Sequence, residues 1–520
     1  MREILTLQFG QRSNYLATHF WNTQESYFTY SDDQEPPVDH DVHFRAGLGA
    51  DNSETFTPRT VIYDLKGGFG SLRKYNALYQ IEPDPAEAQG SWDGSTTRQQ
   101  LPIIETSQYQ TNLDLGLPNQ QLQETDVRYW SDFNRVYFHP RSIVQLNEYE
   151  LQSQLMPFEK WSSGEELFEN LDREFDLIDR DVRPFVEEAD HMQGFQIFSG
   201  IDDAWGGFAG RYLDALRDEY GKTSIWVWGI EDKSTVTRQK KQLRACNTVR
   251  SICSMGQQAS MLTRLATPPS HLPGYVHLGN GSDWTTSALL CAGLESITLP
   301  TRFGAGAPKR SNLSFLEDTL NTNGNQNLFE LQATITNTQP NPNSPQNGNR
   351  PAPPNPSNQE AQQDAFPEPS HLDIHYSPAV EESSAAQRSH VFAQIECDRD
   401  RLESSSRTAT LTPDERLRRR LNEESVVEVF QTGLQFPLLD SFPSRLFQTS
   451  PQDNSHGLDI VAALTCTSKM QHKLLDLRNE TFRLIALDER EAVYNDLTQL
   501  SQNYSIGWDS GSDSGDDDQG

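Results

Sequence analysis

The sequence has few cysteines, and their spacing does not suggest a metal site. Their number is odd, and no two of them follow the CxxC spacing that zinc sites use. Disulfide frameworks are found in oxidising compartments, where cysteines are paired. We therefore expect a reducing compartment and no metal site for the five cysteines, Cys246, Cys253, Cys291, Cys397 and Cys466.

Long apolar runs and positive charge are also missing. The chain has no run of 18 apolar residues, so we expect no membrane-spanning segment. Its N-terminus lacks the charged and then apolar pattern of a cleavable presequence. The formal net charge of −31 argues against direct nucleic-acid binding and against electrostatic docking on anionic lipid. Solubility alone explains most of this charge.

The length and composition predict several domains and a disordered part. A chain of 520 residues is too long for one ordinary core, and 35% hydrophobic residues are few for a fully packed chain. Residues 321–389 are rich in Asn, Gln, Pro and Ser, which predicts a long disordered insertion. The predicted segments are 1–118, 119–300, a connection at 301–320, the insertion at 321–389, a mostly helical region at 390–505 and an acidic tail at 506–520.

The first residues predict a strand, a tight loop and a helix. An apolar run from Ile4 to Phe9 stops at Gly10, and apolar residues at helical spacing follow Asn14. In an α/β sheet such a unit points free backbone N–H groups and a helix N-terminus at a ligand, commonly a phosphate. The alternative is an ordinary buried first strand followed by an ordinary helix.

The residues of this stretch resemble the start of the tubulins, and with the later segments the chain resembles the Misato family, fungal branch. The matching positions are Arg2, Glu3, Ile4, Gln8, Gly10, Gln11, Asn14, Phe20 and Trp21. The resemblance implies an α/β fold with a parallel sheet between helices. A smaller, divergent α+β region with the disordered insertion is expected to follow.

A second resemblance to the tubulins lies at Pro58 to Leu65, within TPRTVIYDLKGG. Here Lys66 stands where tubulins carry an acidic residue linked to the magnesium of the bound nucleotide. A hard cation prefers carboxylate oxygen, and an ammonium group repels it. Lys66 could contact a phosphate directly or pair with a neighbouring Asp, and we favour the pairing.

The third resemblance spans Gln193 to Tyr220, and it departs from the tubulins at their phosphate-binding glycine loop. Ile201, Asp202 and Asp203 replace the leading glycines, and Trp205 replaces another. Each carboxylate would repel a phosphate by on the order of a kcal/mol or more, and an Ile side chain blocks close backbone approach. The Asp pair could instead hold a cation.

The chain is therefore expected to have no GTPase activity and no cofactor, although GTP remains a possible ligand. In tubulins an Asn within a DNEA-like segment reads guanine, and we find no counterpart to that segment here. The positions expected to be vestiges of the nucleotide site are Gly10, Gln11, Asn14, Gly206, Gly207 and Asn247.

The remaining periodicity predicts individual elements and one basic patch. The patch consists of Arg238, Lys240, Lys241 and Arg244, and it either offsets local acid or binds an acidic partner. The predicted elements are a helix over 165–192, a strand over 224–230, a helix over 283–303 ending at Pro300, a helix over 416–429 and a pair of helices over 465–504.

The resemblance to Misato proteins implies a role in the partitioning of mitochondria and the inheritance of mitochondrial DNA. It implies a protein at the cytosolic face of the mitochondrion and in the cytoplasm, held by protein partners at the mitochondrial surface. Tubulin and chaperonin are further candidate partners. The alternatives are an active tubulin-type GTPase that polymerises, or a cofactor of tubulin or chaperonin assembly.

Overall fold

The computed structural model describes eleven stretches of the chain. These are residues 3–29, 36–49, 54–72, 104–307, 309–336, 369–370, 372–378, 389–399, 411–422, 424–448 and 457–506. The acidic tail from residue 507 and most of the predicted insertion lie outside them.

The described strands and helices alternate through the first half of the chain. The strands are β1 (Glu3–Phe9), β2 (Phe44–Leu48), β3 (Glu54–Pro58), β4 (Thr60–Lys66), β5 (Ile143–Glu150), β6 (Met192–Gly200), β7 (Ser224–Asp232), β8 (Met261–Thr267), β9 (Leu328–Ile335), β10 (Ile374–His375), β11 (Val391–Arg399), β12 (Val426–Gln431), β13 (Phe436–Pro437), β14 (Gly457–Leu458) and β15 (Ile460–Thr467). The helices are α1 (Gln11–Ser26), α2 (Gln108–Asp114), α3 (Trp161–Phe175), α4 (Arg183–Glu187), α5 (Ala204–Glu219), α6 (Arg238–Gln258), α7 (Asp283–Thr298), α8 (Leu313–Leu320), α9 (Pro413–Leu421), α10 (Lys469–Thr481) and α11 (Leu487–Gln502).

One large sheet forms the centre of the molecule. Its strand order is β12-β11-β15-β9-β8-β7-β6-β1-β4-β5, and β10 pairs with β9. The strands from β8 to β5 are parallel, whereas β15 pairs antiparallel with both β9 and β11. Every residue of β1 is buried, as expected for a parallel strand covered on both faces. This architecture confirms the predicted α/β fold.

Two groups of helices cover the sheet. Helix α1 packs on β6 and α7, and α7 reaches β15 and β11. Helices α3, α5 and α6 pack in succession, and α10 and α11 lie against α6. Parallel strands place their carboxyl ends along one edge, so the loops after β1, β4 and β6 lie side by side there.

The predicted strand at 224–230 and the predicted helix at 283–303 are confirmed as β7 and α7. The single helix predicted over 165–192 is wrong. Helix α3 ends at Phe175, and its C-cap residue Asp176 has a left-handed φ of 49°. A π-helical turn at Ile178–Val182 then leads into α4. Apolar spacing continues across this break, which is why the sequence pattern did not show it.

Strand β9 lies inside the segment predicted as a disordered insertion. Its first two residues pair with β8 and its last six pair with β15, and β10 of the same segment pairs with it. The prediction is therefore wrong for β9 and β10. The five apolar residues of this eight-residue strand carry little weight in a composition dominated by Asn, Gln and Pro.

The region 390–505 is not mostly helical. It contributes β11, β12 and β15 to the central sheet, together with α9, α10 and α11. The helix predicted over 416–429 ends at Leu421, and Val426–Gln431 forms β12, because its Val and Phe residues favour a buried strand. The pair of helices predicted over 465–504 is confirmed from Lys469 onward.

The described residues contain no candidate for a membrane span or for a metal site. No described helix is long and apolar enough to cross a membrane. Among the same residues, no three His, Cys, Asp or Glu side chains are grouped in a way that could hold a metal ion.

Candidate functional site

A cleft of about 520 Å³ opens at the carboxyl ends of β1, β4 and β6. It is lined by the loop after β1, by the segment between β5 and α3 and by the start of α5. The lining residues include Phe9, Gly10, Gln11, Arg12, Leu65, Glu150, Leu151, Gln152, Pro157, Phe158, Glu159, Asp203 and Trp205. This is the sheet edge at which the sequence placed the vestigial nucleotide site.

The indole of Trp205 fills the space over Gly10. Gly10 has a φ of 84°, a left-handed conformation that favours glycine. A Cβ atom added to Gly10 would lie 2.3 Å from Nε1 of Trp205. The side chain of Trp205 therefore occupies the space directly against the Gly10 backbone.

Arg12 lies between the two aspartates that precede α5. Its Nη2 is 2.7 Å from Oδ1 of Asp202 and also contacts the carboxylate of Asp203. Burial opposes the guanidinium charge, but the two carboxylates outweigh it and raise the pKa of Arg12 well above its usual value. The Asp pair thus has a cation supplied by the chain, an outcome that the sequence analysis did not foresee.

Arg244 of the basic patch extends this network on the side of β7. Its guanidinium contacts the carboxylate of Asp232 and donates to the Asp232 carbonyl at 3.0 Å. The backbone N–H of Asp232 in turn donates to Oδ2 of Asp202 at 2.9 Å. Two arginines and three aspartates therefore form one ion-pair network at the ends of β6 and β7.

Gln11 and Asn14 point their amides at Asp64. Nδ2 of Asn14 donates to Oδ2 of Asp64 at 2.7 Å, and Nε2 of Gln11 donates to the same carboxylate and to the Gly68 carbonyl. Burial raises the pKa of Asp64 to about 7, although these donors and the Leu65 N–H oppose the shift. Both predicted site residues thus tie α1 to the end of β4.

Lys66 follows in the same strand, and the prediction that it pairs with a neighbouring Asp is wrong. Within the described part of the chain it has no ion-pair partner. The nearest aspartate in sequence, Asp64, accepts hydrogen bonds from the side-chain amides of Gln11 and Asn14 instead.

The glycines at the start of α5 and in α3 allow helices to pack closely. A Cβ on Gly207 would lie 2.0 Å from the carbonyl oxygen of Trp161 in α3, and a Cβ on Gly206 would lie 2.2 Å from Oγ of Ser251 in α6. Gly164 of α3 approaches α5 in the same way, 1.7 Å from the Ala204 carbonyl oxygen. Such backbone contacts require residues without a side chain.

Asn247 is fully buried and its amide is used within the fold. Nδ2 donates to the carbonyls of Glu159 at 2.7 Å and Asp202 at 3.0 Å, and Oδ1 accepts from the Trp161 N–H at 3.2 Å. The side chain therefore joins the loop before α3 to the loop before α5. Of the predicted site residues, the structure brings Gly10, Gln11 and Asn14 to the cleft or its border, while Gly206, Gly207 and Asn247 hold the helices behind it.

Sequence reasoning did not identify Arg12 or Asp64 as members of the site. A signal for Arg12 was present, because two adjacent aspartates in a buried loop need a cation. Two bases were candidates for this role: Arg12, which follows the first predicted strand, and Lys66, which follows the second resemblance to the tubulins at Pro58 to Leu65. The choice between them depends on strand geometry, which the local sequence does not contain.

The sheet order and the helix-flanked cleft at its carboxyl edge define a tubulin-like protein. Two family models match the chain, a Misato Segment II tubulin-like domain over residues 2–115 and a Tubulin domain over residues 119–303. The chain is 46% identical over 521 residues to Protein dml1 of Aspergillus clavatus, covering 99% of this chain and 100% of the relative. It is 45% identical to Protein dml-1 of Neurospora crassa over 100% of both chains.

A more distant relative is Protein dml1 of Schizosaccharomyces pombe, 34% identical over 320 residues, which cover 58% of this chain and 66% of the relative. The chain belongs to the Misato family of tubulin-like proteins, and the resemblance found in the sequence is confirmed.

Proposed function

We propose that this protein is a non-catalytic tubulin-like protein that acts in the partitioning of mitochondria and the inheritance of mitochondrial DNA. Membership of the Misato family supports the mitochondrial role. The observation that carries the non-catalytic part is Arg12, which lies between Asp202 and Asp203 at the sheet edge where tubulins bind phosphate.

The residues at this edge do not fit a nucleoside triphosphate. Trp205 covers the Gly10 backbone, and the carboxylates of Asp202 and Asp203 would face the phosphates. Arg12 is shared between these carboxylates, and Arg244, 3.8 Å from Asp202, is also paired with Asp232, so little positive charge remains for a phosphate. Asn247, one of the expected vestigial positions, has both ends of its amide bonded to the backbone.

Nucleotide analysis of the purified protein tests this part of the proposal. We expect no guanine nucleotide in the supernatant after boiling, and GTP hydrolysis no faster than in buffer. Turnover that disappears when Gln11 or Asn14 is changed would show that the site is a working GTPase, because Gln11 lines the cleft and Asn14 bonds to the same Asp64 carboxylate.

Depletion in cells tests the mitochondrial role. We expect changes in mitochondrial shape and loss of mitochondrial DNA transmission before any change in microtubules. The protein should fractionate with mitochondria and remain sensitive to protease added outside intact organelles. Early loss of microtubules would instead favour a tubulin cofactor, and protection from protease would contradict placement on the cytosolic face.

The basic patch is a candidate for contact with a partner at the mitochondrial surface, but only half of it is free for that contact. Lys240 pairs with Glu159 at 2.7 Å, and Arg244 pairs with Asp232. Arg238 and Lys241 are exposed on the first turn of α6. Changing all four residues to Ala would therefore also disturb the fold.

A sharper experiment replaces only Arg238 and Lys241 by Ala. If the patch anchors the protein, this variant should move to the cytosolic fraction with an unchanged melting temperature. A matched control replaces the exposed bases Arg141 and Lys222, which lie on other elements, and should remain with mitochondria. Retention of the Arg238 and Lys241 variant would exclude the patch as the anchor.

A further inference from the structure

The floor of the cleft is apolar, although it lies where related folds bind phosphates. Six of its lining residues are apolar, namely Phe9, Leu65, Leu151, Pro157, Phe158 and Trp205. The ring of Phe158 packs edge-on against Trp205 with centroids 5.1 Å apart, and Tyr149 packs on the other side of Phe158 at 4.7 Å. These aromatic contacts make the floor a packed surface rather than a loose loop.

Two neighbouring apolar side chains are exposed at the border of this cleft. Leu155 is 95% exposed and Met156 is 57% exposed, and they lie between the lining residues Gln154 and Pro157. Single exposed apolar residues are ordinary, but a contiguous apolar surface that includes a cleft marks an interaction site. Methionine also adapts to partners of different shape.

The charges around the cleft are mainly negative. Glu150, Glu159 and Asp203 line it, and Arg12 is the single base among the lining residues. Glu159 is paired with Lys240, which lies outside the lining. The charge of Arg12 is already shared by Asp202 and Asp203. The carboxylate of Glu150 is exposed and has no ion-pair partner within the described part of the chain. The net charge of −31 further favours the approach of a cationic partner.

We propose that this cleft binds a segment of a partner protein that carries apolar side chains next to lysine or arginine. The apolar side chains contact Phe158 and Trp205 together with Leu155 and Met156, and a basic side chain pairs with Glu150. A volume of about 520 Å³ admits a few side chains and not a folded domain. The proposal rests on the loss of nucleotide binding proposed above, and it adds the chemistry of a partner.

Binding of labelled peptides to the purified full-length protein tests the proposal. The probes are a 12-residue peptide of Leu, Ala and Lys and the same peptide with every Lys replaced by Glu, both measured by fluorescence anisotropy. We expect the basic peptide to bind at least about tenfold more tightly than the acidic one, a difference of about 1.4 kcal/mol. Equal affinity for the two peptides would overturn the proposal.

Variants show whether the peptide binds in this cleft. Leu155→Ser combined with Met156→Ser should weaken binding of the basic peptide about fivefold or more, as removal of important contacts does. The matched control is Leu487→Ser, since Leu487 is 81% exposed on α11 and lies outside the cleft lining. Equal effects of the cleft and control variants would place the peptide elsewhere and overturn the proposal.

A second pair of variants tests the charge contact without removing apolar surface. Glu150→Gln should weaken the basic peptide, whereas Glu187→Gln, at an exposed acid of α4, should not. Both positions are exposed, so neither change should unfold the protein. If both changes weaken binding equally, the attraction is general to the acidic surface and the proposed contact fails.

Competition with GTP separates this inference from the proposed function. We expect millimolar GTP to leave the bound basic peptide in place, with an equal ionic strength of sodium sulfate as control. Displacement by GTP alone would show that the cleft still takes nucleotide. The proposed loss of nucleotide binding would then be wrong, while peptide binding in the cleft would stand.

Discussion

Arg399 and Glu295 form an ion pair in which both side chains are completely buried. Arg399 ends β11 and Glu295 lies in α7, and their contact joins the C-terminal strands to the helix layer. Arg302 also contacts Glu295, at 2.8 Å, and Tyr27, which directly follows α1, donates to it at 3.1 Å. Burial opposes the charge of Glu295, but the two arginines lower its pKa. The first helix and the last strands therefore share one buried charge network.

Arg399→Met should destabilise the whole protein, because it leaves Glu295 charged and buried with only one arginine. Removing one partner of a buried ion pair costs about 3–5 kcal/mol. Urea unfolding should show this loss in the free energy of unfolding. The control is Arg310→Met, which removes a half-exposed pair with Asp39 and should cost about 1 kcal/mol or less. If both variants lose the same free energy of unfolding, other groups must compensate the charge of Glu295.

Arg12→Gln should also destabilise the protein, by about 2–4 kcal/mol, since Asp202 and Asp203 would then face each other without their cation. The estimate is lower than for Arg399 because Arg12 is partly exposed. Burial already raises the pKa of Asp203, and loss of Arg12 should raise it further. A raised carboxyl pKa favours folding at low pH, so the penalty should be smaller at pH 5 than at pH 8. A penalty independent of pH would contradict this account.

Gly207→Ala should separate α5 from α3, because the new Cβ would lie 2.0 Å from the Trp161 carbonyl oxygen. Overpacking of this kind costs about 1–3 kcal/mol. The control is Gly221→Ala, where the Cβ has only one neighbour, at 3.6 Å. Thermal unfolding should give a lower melting temperature for the first variant and almost no change for the second. An unchanged Gly207→Ala protein would mean that this glycine is not needed for helix packing.

The stability of the protein should depend on pH through Asp64. Its pKa is about 7 in the folded state and the ordinary value is 3.8, so the folded protein keeps a proton that the unfolded chain loses in between. The free energy of unfolding should therefore fall as the pH rises from 5 to 7, by up to about 1.4 kcal/mol per pH unit from this group, and level off above 7. Urea midpoints measured from pH 5 to 8 should show a smaller fall for Asp64→Asn.

Glu317 of α8 is a second buried carboxyl group with a raised pKa. Burial raises its pKa to about 7 as well, opposed by a hydrogen bond from Trp226. Glu317→Gln should therefore reduce the same fall in stability independently of Asp64. If Asp64→Asn has the pH profile of the unchanged protein, the carboxyl of Asp64 is ionised throughout this range.

Deletion of residues 340–366 should leave the melting temperature almost unchanged. This segment is rich in Asn, Pro and Gln and has too few apolar residues to offset the entropy of ordering. Deletion of Leu328–Ile335 should instead abolish soluble protein, because β9 joins β8 to β15 in the central sheet. Loss of soluble protein in the first deletion would show that residues 340–366 have a structural role.

The sequence determined those parts of the molecule that depend on short-range patterns. The apolar run from Ile4 to Phe9, the run of β7 and the long apolar stretch of α7 each carry their own signal within about ten to twenty residues. The replacement of glycines by Ile201, Asp202 and Asp203 was also visible without a structure. These features suffice to predict the α/β fold, the family and an altered phosphate loop.

The tertiary structure decided which distant residues meet. Arg12 and Asp202 are separated by 190 residues, and Arg399 and Glu295 by 104, so no local pattern connects them. The role of β9 likewise depends on its neighbours β8 and β15, since its own flanks have the composition of a disordered segment. Buried charges find their partners only when the sheet brings remote segments together, and a short strand is likewise fixed by its neighbours. Both depend on tertiary contacts and not on local composition.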